Sequence, residues 1–294
     1  MNNVSAVVVT YNKKDYLRAT INALLNQTAQ LSIVIVDNNS DDGTAQMISN
    51  EFDNESIYYF NTGSNLGGAG GFNYGLKKAY ELGFDYYWLM DDDAEPKNDA
   101  LESILKSIDY LGNEFGFICS NVRWIDNSAC RMNIPQLTVN WLNEDDLVLK
   151  GLIPVDIATF VGFFVPKKVV EEVGLPIKDF FIWSDDANYS IRISKRYPCF
   201  LCLDSRIIHH MKMNSAADIV NDNSGREKRY YYAFRNRLYN ARLENRLKNY
   251  FLNVLIISIN LIVKPSKNKL SKIRYMYKGI VAGLFFNPEI EYVK

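Results

Sequence analysis

The segment "YYWLMDDDAEP", residues 86 to 96, sets three consecutive aspartates directly after a run of apolar residues. Crowded carboxylates repel, and each is costly beside the next unless something positive sits among them. Solvent, a basic side chain, or a divalent cation carrying an anionic substrate can each meet that need. Side chains two apart at a strand end point the same way, so Asp91 and Asp93 are expected to converge while Asp92 points elsewhere. Such a pair suits Mg2+ or Mn2+, which completes its shell with waters and phosphate oxygens. The plainer reading is an exposed acidic turn capping the helix after Pro96.

A second acidic pair, Asp185 and Asp186, follows the apolar "FFIW". A carboxylate in such company has its proton affinity raised, which suits a general base. Acids also complement the dipole at a helix N-terminus, so Asp185 can cap while Asp186 reaches a substrate. The two histidines, His209 and His210, end an apolar strand and face opposite ways, so at most one is a metal ligand. An imidazole in the shell favours Mn2+ over Mg2+; the plainer reading is a surface strand terminus. "NLGGAGGF" fails the standard phosphate-loop tests, because no Gly-Lys-Ser/Thr follows and Asn73 breaks the dinucleotide spacing. Its four glycines nevertheless open a helix and let a bulky ligand approach free N–H groups. Cys199 and Cys202 form a lone CxxC; with Cys119 and Cys130 they read as reduced core cysteines, not a zinc site.

The elements that must position these residues follow from the hydrophobic pattern. "VSAVVVT", "SIVIVD" and "YYWLM" are continuous apolar runs alternating with helical segments, the signature of a mainly parallel α/β sheet covered on both faces. Loops at the carboxyl ends of such strands form the ligand crevice, and Thr10, Asp37 and Asp91 to Asp93 all fall there. The stretch from Asn121 to Pro154 is less regular and reads as an excursion over the sheet. Beyond it, "IATFVGFFVP" and "CFLCLDSRIIHH" read as further strands. From Arg226 the pattern is helical, and Pro265 divides it. The boundary falls near Met213, giving a catalytic α/β unit over residues 1–213 and a helical region over 214–294.

At 294 residues with net charge −1, the chain can bury a sizeable core, but its charge is uneven. Residues 225–280 hold fourteen Lys or Arg against two Glu, so this part carries +12 and the remainder −13. Mixed with aromatic residues, these cations suit an anionic membrane surface; a helical subdomain or oligomer interface is the alternative. No nucleic-acid-binding module is recognisable. The opening apolar run is too short for a signal peptide, and Tyr250 to Val263 is too short to span a bilayer. The expected location is cytoplasmic, peripheral to the inner face of the cytoplasmic membrane.

Together, "VVVTYNKKDYLRATINALLNQ" and "IVIVDNNSDDGT" resemble the inverting family 2 glycosyltransferases of the nucleotide-sugar-binding (GT-A) type. Within them, "NLGGAGGF", "WLMDDDAEP", "DDANYSIR", "IIH" and "YYYAFRNRL" look like bacterial galactofuranosyltransferases of cell-wall galactan and surface-polysaccharide assembly. The resemblance runs unbroken from Ala6 to Leu238.

It implies that Thr10, Asn12 and Asp37 border the nucleotide, with Asp37 on the uracil edge. It also implies that Asn65, Gly67, Gly68, Gly70, Gly71 and Phe72 line the pyrophosphate and sugar, with Asp92 on the donor side. Asp91, Asp93 and His209 would hold the metal, and Asp186 would be the catalytic base. Trp183, Asp185, Asn188 and Arg235 would face the acceptor, and Asn236 would lie near one of the substrates. Asn188 departs from the family, which usually has an acid there, so acceptor binding differs. The chain matches no N-terminal β-rich domain of the large galactan polymerases, and its tail is shorter, which argues against processive polymerisation. The implied donor is UDP-galactofuranose, with dTDP-rhamnose as runner-up, and the implied acceptor is a lipid-linked or other oligosaccharide. A non-catalytic sugar-binding module would not need both acidic pairs and His209. A nucleotidyltransferase would open with a glycine-rich loop that "TYNKKDY" lacks.

Overall fold

The computed structural model describes residues 3–112 and 114–293. Its first half runs β1 (Val4–Thr10), α1 (Lys14–Leu25), β2 (Ser32–Asp37), α2 (Thr44–Glu51), β3 (Ile57–Asn61), α3 (Gly67–Glu81), β4 (Tyr86–Asp91), β5 (Ala94–Pro96), α4 (Ala100–Leu111) and β6 (Ile118–Trp124). The second half continues β7 (Gln136–Leu137), α5 (Asp145–Leu149), β8 (Leu152–Ile157), β9 (Phe163–Pro166), α6 (Lys167–Val173), α7 (Asp185–Ser194), β10 (Phe200–His209), α8 (Arg229–Leu243), α9 (Leu247–Val263) and α10 (Lys269–Phe285).

The sheet order is β3-β2-β1-β4-β9-β6-β10-β8-β7, with β5 added beside β10. From β3 to β4 every pairing is parallel, as the alternation of apolar runs and helices requires. Beyond β4 the sheet is mixed: β9 is antiparallel to both β4 and β6, while β6 and β10 are parallel. The central strands β1, β2 and β4 are mainly apolar because both faces are covered. Ala6, Val8, Ile33 and Ile35 pack with Leu17 and Ile21 of α1 and Leu101 and Ile104 of α4. Val7, Val9, Val34 and Val36 pack on the other face with Phe72 and Leu76 of α3, Val170 of α6 and Ile193 of α7.

Cys199 and Cys202 belong to opposite faces of this core, so they cannot share a metal, and all four cysteines are buried and free. The expected excursion after Asn121 begins on β6 and contains β7, α5 and β8. Helices α8 to α10 enclose a separate core around Phe234, Leu238, Leu261 and Met276, with Pro265 lying between α9 and α10. Among the described residues, no helix is long and apolar enough to cross a membrane.

Candidate functional site

The acidic cluster sits where three strands end. β4 stops at Asp91, and a tight turn through Asp92 and Asp93 leads into β5. That short strand runs antiparallel to β10 with Ala94 opposite His209, and the His210 N–H donates to the Asp93 carbonyl at 2.9 Å. The turn and this pairing bring Asp93 back towards Asp91; strand alternation alone would not do so. Candidate ligand atoms of Asp91, Asp93 and His209 all lie within 4.8 Å of one another. His210 points away and pairs with Glu95 at 2.7 Å.

Lys13, which the sequence reading did not single out, supplies positive charge. Its Nζ lies 2.7 Å from Asp93 and 3.2 Å from Asp92. Burial disfavours its charged form, but the carboxylates outweigh that and hold it protonated. Asp93 is likewise subject to a burial penalty. The His209 hydrogen bond and the charges of His209 and Lys13 overcome it and hold Asp93 below the usual carboxylate range. Asp92, also buried, accepts from the Thr10 hydroxyl at 2.8 Å and the Tyr11 N–H at 3.4 Å. Burial pushes its pKa up to about 7 despite Lys13. Asp92 therefore ties the end of β1 to the end of β4.

His209 is oriented by Asn133, a second residue that sequence reasoning missed. Nδ1 donates to the Asn133 Oδ1 at 2.8 Å and Nε2 to the Asp93 Oδ1 at 3.0 Å. Because both partners are acceptors, the ring is doubly protonated. Burial lowers its pKa, but Asp93 outweighs that and pushes it up to about 10. The Asn133 bond leaves Nε2 as the nitrogen facing the carboxylates, the arrangement that usually orients a metal-bound histidine. Two carboxylate oxygens and one imidazole nitrogen, all within 4.8 Å of one another, fit a divalent ion of the Mn2+ type.

Asp185 and Asp186 open α7 behind Ser184. Burial, joined by the charge of Asp91, pushes Asp186 up to about 6, while the Ala187 N–H and Arg237 oppose the rise. Asp185 is raised well above its ordinary value by burial and by Asp186. The expected division of labour is modified, since Asp186 itself accepts the Ala187 N–H at 2.7 Å. Arg237, exposed at the surface yet within the field of Asp186, is a further cation absent from the sequence reading.

The loop before this pair is held in an uncommon shape. Phe181, Trp183 and Ser184 all have φ between 63° and 67°, a left-handed region that non-glycine residues rarely adopt. Three backbone carbonyls of the loop, those of Phe180, Ile182 and Trp183, accept from the single Asn236 amide at 2.9 to 3.1 Å. Arg235 donates to the Asp179 and Phe180 carbonyls and lies over the Phe286 ring. Asn240 holds the Ser184 carbonyl. The "FRNRL" stretch of α8 is thus a clamp on the loop that presents Asp186.

The remaining expected site residues divide. Asp37, at the end of β2, is buried and accepts from the Tyr59 hydroxyl at 2.6 Å and the Ser40 N–H at 2.8 Å. Asn12 accepts the Asp41 N–H at 2.9 Å, linking the loops after β1 and β2. Asn65 accepts the Gly67 N–H at 2.8 Å. Gly68 faces open space, but a Cβ on Gly67 would come within 2.1 Å of the Phe181 carbonyl oxygen, and one on Gly71 within 2.4 Å of Val9. Two of these glycines therefore let α3 close on protein as well as leaving room beside it. Phe72 lies in the core, 3% exposed and 4.7 Å from the Phe160 ring, not in the crevice. Asn188 is buried between Asn240 and Arg192, so α7 turns it towards α8. Trp183 packs on Tyr230. A cavity of about 910 Å³ adjoins the glycine loop and is lined by Asn65, Gly70, Phe181 and Tyr232. Its lining does not include Asp91, Asp93, Asp185 or Asp186, which lie apart from it.

A model of the family described as "Glycosyl transferase family 2" matches residues 5–174, more than half of the chain. The chain belongs to that family. The matched span of this family 2 glycosyltransferase contains Asp91 and Asp93 and ends before Asp186 and His209. The chain is similar to galactofuranosyltransferase GlfT1 of Mycolicibacterium smegmatis, at 25% identity over 260 residues, covering 80% of this chain and 82% of the relative. Among solved structures it resembles mannosyltransferase PcManGT from Pyrobaculum calidifontis in complex with GDP-Man and Mn2+. That likeness has a TM-score of 0.59 at 14% identity and covers 96% of this chain and 86% of the other. The S. aureus TarS fragment 1–349 in complex with UDP-GlcNAc is similar with a TM-score of 0.55 at 13% identity, covering 97% and 73%. The fold of this family 2 enzyme is accordingly the GT-A glycosyltransferase fold expected from the sequence, with helices at the C-terminal end.

Proposed function

We propose that this enzyme transfers galactofuranose from UDP-galactofuranose to a hydroxyl of a lipid-linked glycan, with inversion, at the inner face of a membrane. One observation carries the chemistry: Asp91, Asp93 and His209 converge, and Asp186 is titrated upward within the field of Asp91. The similarity to a galactofuranosyltransferase supports the choice of donor.

In this reading Asp91, Asp93 and His209 hold Mn2+, which when bound supplies positive charge to the departing nucleoside diphosphate. Thr10, Asn12 and Asp37 border the nucleoside, and the backbone from Asn65 to Gly71 flanks the pyrophosphate. Lys13 moves off the carboxylates as the donor enters. Asp186 takes the proton from the acceptor hydroxyl while that oxygen bonds to the anomeric carbon and the bond to UDP breaks on the opposite face. A base near pH 6 suits this role, being ionised at neutral pH yet far more basic than an exposed aspartate. Trp183 and Asp185 border the acceptor, while Arg235 and Asn188 act on its side of the site through the packing of α7 and α8.

A screen of nucleotide sugars with Mn2+ and a galactan-type acceptor, reading nucleotide release, tests this. UDP-galactofuranose should give the highest rate, above dTDP-rhamnose, and EDTA should abolish it. Release that is unchanged in EDTA, or absent with every donor, overturns the reading.

A further inference from the structure

Helix α9 presents a surface that water does not favour. Its buried stripe, Tyr250, Val254 and Leu261, is fixed against α8 and α10. Much of the surface outside that stripe is also apolar, broken from Tyr250 onward by Asn253, Ser258 and Asn260: Leu252, Leu255, Ile259, Ile262 and Val263 are each between 51% and 75% exposed. From Tyr250 to Val263 there is no charged residue at all. Exposed apolar patches of this kind mark interaction surfaces. Helix α10 continues the surface with Leu270, Val281 and Phe285, all more than half exposed.

The charges around this face identify its partner. Residues 245–285 contain eight Lys or Arg and no Asp or Glu. Arg246 and Lys248 precede the apolar run, Lys264 and Lys267 follow it, and Arg274 and Lys278 extend along α10; all six are exposed. None of the six forms a salt bridge among the described residues, whereas the basic residues Lys77, Lys78, Lys178 and Lys195 elsewhere are paired with glutamates. Apolar side chains rimmed by unpaired cations complement an anionic lipid surface. A second copy fits poorly, because a two-fold contact through this face would set like charges against each other.

We propose that α9 and the exposed side of α10 dock the enzyme on an anionic bilayer, with α9 lying along the interface. At 17 residues and pinned to α8 along one stripe, α9 cannot enter end-on. Tyr250 donates to the Phe234 carbonyl of α8, and α8 clamps the loop that presents Asp186. The docked face is therefore one helix away from the base, which suits an acceptor whose sugar is carried on a lipid. Only that last step rests on the proposed function; the docking itself does not.

The test is sedimentation of the full chain with vesicles of phosphatidylcholine, with or without roughly one-third phosphatidylglycerol, together with light scattering of the free protein. Wild type should partition on the order of tenfold more strongly to the anionic vesicles, and less as salt is raised. Leu255→Asp with Ile259→Asp, or Lys264→Glu with Lys267→Glu, should each lower partitioning about tenfold while nucleotide release with a soluble acceptor is retained. Asp186→Asn should bind vesicles like wild type. Failure of the folded wild type to sediment with anionic vesicles overturns the docking. So does a dimer that Leu255→Asp with Ile259→Asp converts to monomer without any vesicle binding, since a second copy would then cover the face. Vesicle binding by a protein inactive with every donor upholds the docking and defeats the transferase reading alone.

Discussion

Replacing Asp186 by Asn should cut transfer sharply and make the protein more stable, and the gain should depend on pH. In the folded chain Asp186 is pushed from 3.8 to about 6, chiefly by burial and then by Asp91. Holding it ionised at pH 8 then costs the folded state about 3 kcal/mol more than the unfolded state. The side chain is only partly buried, and solvent screening reduces this to roughly 1–3 kcal/mol. Asparagine removes the charge and keeps an oxygen for the Ala187 N–H, now 2.7 Å away. It also relieves Asp185, which Asp186 raises. Because the folded pKa lies above the unfolded one, the folded state binds the extra proton between them. The cost is full above about pH 6 and fades as pH falls towards 3.8, and the gain from Asn follows it. Thermal unfolding in EDTA should therefore move up by roughly 2–8 °C at pH 8 and by about half as much at pH 5. Transfer should fall by a factor on the order of 10² to 10⁴. An Asn variant that is no more stable at pH 8, or equally stabilised at pH 5 and 8, refutes the electrostatics; one that turns over like wild type refutes the role.

Metal binding carries its own pH signature. With His209 protonated up to about pH 10, the ion must displace a proton, so Mn2+ affinity by calorimetry should rise through pH 6 to 8, by up to about tenfold per pH unit; a flat profile counts against His209 as a ligand. Asn236→Ala leaves three loop carbonyls without their donor and should cost roughly 1–3 kcal/mol of stability. It should lower kcat more than it raises the donor KM and speed hydrogen exchange over residues 179–186. Equal effects on both constants, with unchanged exchange, would mean the clamp does not position Asp186.

What could be read from the sequence was what local pattern determines. Continuous apolar strands gave away a sheet covered on both faces, and the same pattern placed Thr10, Asp37 and Asp91 at strand ends. The preference for His209 over His210 came from the family resemblance, and the structure turns His209 alone towards the carboxylates. Contacts set by tertiary packing left no such trace. Asn133 reaches His209 across 76 residues from the irregular excursion, and Asn236 reaches the Asp186 loop across more than fifty. Phe72 belongs to a glycine-rich stretch that suggests ligand contact, but helical geometry turns its ring to the core while Gly68 faces outward.

Lys13 is the instructive miss, because it was within reach of the same logic. It lies three residues past Thr10, in the loop that faces the end of β4, and three adjacent aspartates need a counter-charge. In the absence of an ion, Lys13 and protonated His209 provide it, while burial keeps Asp92 close to its own proton. The cluster is thus nearly neutral before any substrate arrives, which is why so dense a set of acids can persist at the edge of a core. The same arrangement sets the terms for function. A divalent ion brings as much positive charge as Lys13 and the histidine proton supply together, so it can take their place without leaving a bare carboxylate in the crevice.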